Sequence, residues 1–153
     1  MTKKYILDEF PSQESYDLIG IHSNIEDFSL AYLINKNLGS SFIRSKKSMK
    51  YNQSEFESFI WENKKDGVNC SLISNKSIIT SSPKKSSASL FVLSETKKVS
   101  LIEELSEVDY FLKIKFGMDI ILTIKNLVKL PEIILAYIVK EPKIKSQFNL
   151  IYD

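Results

Sequence analysis

Polar and apolar residues alternate most cleanly from Asp109 to Phe116. Tyr110, Leu112, Ile114 and Phe116 fall on one face there, and Lys113 and Lys115 on the other, the period of two that marks a strand. Tyr16 to His22 carries Leu18, Ile19 and Ile21 on both faces and predicts a central strand. Ser23-Asn24-Ile25-Glu26 then fits a capping box. The helix it opens runs through Phe28, Leu30, Ala31, Ile34 and Leu38, and Gly39 supplies the left-handed stop. Ile120, Ile121, Ile124, Leu127 and Val128 form the wide stripe of a second helix, from Met118 to about Leu130, with Pro131 ending it. Glu132 to Val139 follows as a buried strand.

The middle of the chain reads as strands. Ser41 to Ser45, Phe56 to Glu62, Val68 to Ile73 and Ser77 to Thr80 are β-prone, and Asp66-Gly67 marks a hairpin between the second and third of them. Residues 3 to 8 predict a short first strand, and Val99 to Ile102 another. Residues 81 to 89 are small and polar and predict a mobile loop, while the tail from Lys143 carries Phe148, Leu150, Ile151 and Tyr152 and is expected to dock. The order predicts an α+β two-layer sandwich: one mixed, mostly antiparallel sheet with two helices packed on one face. One domain over residues 1–153 fits the length.

Composition narrows the function classes. The apolar fraction is 43% and the charged fraction 26%, as in an ordinary soluble globule, and a net charge of +2 calls for no polyanionic partner. Arg44 is the only arginine, which weighs against a dedicated phosphate site. Cys70 is alone, so no intramolecular disulfide forms and a reducing compartment is expected. Tyr5-Ile6-Leu7 is too short for a signal core, and Ile133 to Val139 is far below the ~20 residues of a membrane span. The expectation is a cytoplasmic protein with no membrane partner.

Leu101-Ile102-Glu103-Glu104-Leu105-Ser106-Glu107-Val108-Asp109-Tyr110 sets a carboxylate cluster ahead of the clearest strand. Its Ile102, Glu104, Val108, Asp109 and Tyr110 resemble the signature of the IPExxxVDY family, small proteins of Bacteroidota. Glu103 stands where that family has proline, leaving a free N–H and a softer bend. Glu26 to Tyr32, Leu72 to Lys76 and Ser89-Leu90-Phe91 look similar to the same family. The likeness implies no agreed activity, cofactor or catalytic residue.

Read from the residues, the carboxylates cap turns by accepting backbone N–H bonds, with Asp109 as the main anchor and Tyr110 packed in the core with its hydroxyl bonded. A metal or acid–base role for Glu103, Glu104, Glu107 and Asp109 is the weaker alternative, with no neighbouring His or Cys to support it. His22 is the only histidine, which excludes multi-histidine metal sites, and the four glycines form no phosphate loop. Cys70 reads as a buried, inert thiol. Arg44, Lys46, Lys47 and Lys50, followed by Tyr51, Phe56, Phe59 and Trp61, suggest an RNA-contacting segment; a solvated lysine edge is the blander account. The first expectation is therefore a non-catalytic module without cofactor that binds a protein partner, a second copy or a small ligand. An RNA-associated accessory protein comes second, and a carboxylate enzyme last.

Overall fold

The computed structural model describes residues 15–51, 54–80 and 96–140. The first strand expected at 3 to 8, the loop at 81 to 89 and the tail from Lys143 lie outside them. The described chain is α+β: a six-stranded sheet, antiparallel at every described pairing, with two helices on one face. Strands β1 (Asp17–Ser23), β2 (Ile43–Arg44), β5 (Ser58–Asn63), β6 (Val68–Ser74), β9 (Tyr110–Phe116) and β10 (Ile133–Ile138) lie in the order β10-β1-β9-β6-β5-β2. The chain also forms two ribbons. One pairs β3 (Met49–Tyr51) with β4 (Ser54–Phe56), the other β7 (Lys76–Thr80) with β8 (Thr96–Ser100).

Helices α1 (Asp27–Leu38) and α2 (Ile120–Leu127) cover one face. Leu30, Ala31, Ile34 and Leu127 pack there on Ile19, Ile21, Cys70, Leu72, Leu112 and Ile114. The opposite face has its own cover, which the sequence pattern did not announce. Met49 and Phe56 of the first ribbon join Leu101, Ile102 and Val108 over Leu18, Ile73 and Phe111.

That second cover corrects the reading of Lys113. Set by alternation on the face opposite Tyr110, Leu112 and Ile114, it is nonetheless 2% exposed, with its ammonium 5.0 Å from the centre of the Tyr16 ring, a cation–π distance. Phe116, expected inside, is exposed at the end of β9.

Local signals differ in how far they hold. Gly39 closes α1 at φ 66 and Gly67 turns the β5–β6 hairpin at φ 63, conformations that cost a residue with Cβ. The capping box does not form. β1 stays extended through Ser23, whose hydroxyl donates to the Glu132 carbonyl at 2.7 Å, and α1 starts after Glu26. Asp119 instead caps α2, accepting from the Leu122 amide at 2.8 Å, so that helix begins two residues later than expected. The strand expected from Phe56 to Glu62 is broken at Glu57, so Phe56 enters the second cluster and Phe59 the first. β7 pairs with β8 rather than extending the main sheet.

Candidate functional site

After β8 the chain bends over the second face. Leu101, Ile102 and Val108 are buried, and a single 3-10 turn spans Glu103–Leu105. Glu103, Glu104 and Glu107 stay on the exposed side of this bend. Their polarity and the burial of their apolar neighbours fix which way the turn faces.

The residue that holds the bend is Asn75, which is completely buried. Its Oδ1 accepts from the Ile102 amide at 2.8 Å, and its Nδ2 donates to the Leu105 and Val108 carbonyls at 2.9 and 2.8 Å. Its own N–H donates to the Asp109 carbonyl, and its carbonyl accepts from the Leu101 amide, both at 2.9 Å. One side chain thus serves three main-chain groups of the bend, of which the Leu105 carbonyl also accepts from the Val108 amide at 3.0 Å. The reading of the sequence gave Asn75 no such role. The available signal was an amide side chain wedged between two β-prone runs.

Asp109 works across the fold rather than within its own turn. Its Oδ2 accepts from the Ser23 amide at 2.9 Å, and its Oδ1 meets the Lys76 ammonium at 2.6 Å. Tyr110 donates its hydroxyl to the Ile25 carbonyl at 2.6 Å. Burial, then the charges of Asp27, Asp109 and Glu26, push its phenol up to about 12, which keeps it a donor. Asp109 and Tyr110 therefore grip both sides of the loop where β1 leaves for α1. His22 lies beside that exit, with Nε2 3.3 Å from the Tyr137 hydroxyl and the two ring centres 5.6 Å apart. Burial, with the Glu107 charge, also raises the Tyr137 phenol.

The other sequence candidates separate. Arg44 binds Glu57 at 2.9 Å and Asp27 at 3.7 Å, with its guanidinium 5.2 Å from the centre of the Phe59 ring. Lys50 pairs with Glu55 at 3.5 Å. Lys46 and Lys47 are exposed. Of the rings expected beside them as a stacking platform, Phe56 and Phe59 are buried in different clusters, Trp61 packs edge-on against Phe42, and Tyr51 is half-buried with its hydroxyl 3.5 Å from Glu103. Burial pushes the Cys70 thiol up to about 12, away from any thiolate chemistry. Among the described residues no three His, Cys, Asp or Glu side chains gather as a metal-binding group, and no helix is long and apolar enough to cross a membrane.

A different surface emerges at the sheet edge. Glu132 to Val139 was expected to form a buried strand, but among the described residues β10 pairs only with β1. Ile134, Leu135 and Ile138 on β10, with Ile121 and Leu122 on the neighbouring α2 and Val128 at its C-cap, are each between 43% and 65% exposed. Apolar runs look alike whether a strand is central or at an edge, so the pattern carried no warning. The surplus apolar residues on α2, too many for one face, were the available clue. No family model matches this chain, and neither a curated protein nor a solved structure does.

Proposed function

We propose that this chain is a cytoplasmic, non-catalytic module that binds a protein partner through the apolar edge built from β10 and α2. We place it with the IPExxxVDY proteins on the strength of Ile102, Glu104, Val108, Asp109 and Tyr110. The observation that carries the binding reading is the concentration of exposed Ile, Leu and Val side chains on two adjoining elements, since contiguous apolar surface favours association. The carboxylates of the signature support it indirectly. Asp109 is engaged by an amide and an ammonium, and Glu103 and Glu107 are spread along an exposed turn.

The test is affinity capture from native lysate with all bound proteins, RNA and small molecules identified, comparing wild type with Leu122→Lys/Leu135→Lys. Both positions are exposed, so circular dichroism should be unchanged while a specifically bound protein is lost. Retention of every bound species by the edge variant refutes the reading. So does nucleic acid that co-purifies and disappears in Lys46/Lys47→Glu.

A further inference from the structure

We draw no further inference here: the strongest candidate, the exposed apolar edge formed by β10 and α2, belongs to the surface already described, and nothing in the structure shows what covers it.

Discussion

Replacing Asn75 should do more harm than replacing any carboxylate of the signature. Asn75→Ala removes three side-chain hydrogen bonds of 2.8 to 2.9 Å and strands the Ile102 amide and the Val108 carbonyl in a buried setting, while the Leu105 carbonyl keeps only the Val108 N–H. Each such bond contributes about 1 kcal/mol net, and each orphaned buried group costs about 1–3 kcal/mol. The expected loss is therefore about 3–6 kcal/mol, a large share of the ~5–15 kcal/mol by which domains of this kind are stable. Urea unfolding followed by Trp61 fluorescence and circular dichroism reads it as a fall in midpoint at constant slope. Asn75→Asp sharpens the test. It keeps the acceptor for Ile102 but turns a donor toward two carbonyls into an oxygen. Burial and those carbonyls raise the introduced carboxyl's native pKa above its unfolded value. Relative to wild type, this variant should be least impaired below the unfolded carboxyl pKa of about 4 and worsen as pH rises through the native value. A loss under about 1 kcal/mol for Asn75→Ala, or wild-type stability of Asn75→Asp at neutral pH, would refute the assignment of the bend to this residue.

Two further outcomes follow from the geometry. The Tyr110 phenol rises from 10.0 to about 12 on folding, so its contribution is complete below pH 10 and fades as pH climbs toward 12. Tyr110→Phe should cost about 1 kcal/mol at neutral pH through the lost bond to Ile25, and should flatten the alkaline decline in unfolding midpoint; an equally steep decline in the variant contradicts the argument. Gly117 sits at φ 100, and a Cβ there would lie 2.7 Å from the Val68 Cα and 2.8 Å from the Gly67 carbonyl oxygen. Gly117→Ala should therefore lower stability by more than about 2 kcal/mol in the same assay, and a neutral result would contradict the close approach of these segments.

Local chemistry was the legible part of the fold. Asp66-Gly67, Gly39 and the alternation of β9 announce themselves because backbone sterics and the pleat act over a few residues. What failed was decided at long range. The Ser23 pattern satisfied a capping box, yet its hydroxyl found the Glu132 carbonyl, 109 residues away. Lys113 stood on the polar face of a strand, but alternation cannot say whether that face is covered, and the cover comes from Met49, Phe56, Leu101, Ile102 and Val108. β10 was expected to be buried, yet among the described residues it pairs only with β1, and an apolar run says nothing about how many neighbours a strand has.

The segment from Ile102 to Tyr110 shows the same separation of scales. Read locally, its acidic residues suggest a bend capped by its own carboxylates. In the fold the bend is held from elsewhere by Asn75, while Asp109 reaches Ser23, 86 positions distant, and Tyr110 reaches Ile25, 85 positions distant. One accepts from the β1–α1 loop and the other donates to it, so the loop is fixed by a complementary pair rather than by one contact. Ile102 and Val108 simultaneously fill the second cluster. The segment thus ties the start of β9 to the loop leading into α1 on one side and seals the sheet on the other. That places the spread of Ile102, Val108, Asp109 and Tyr110 under tertiary constraint.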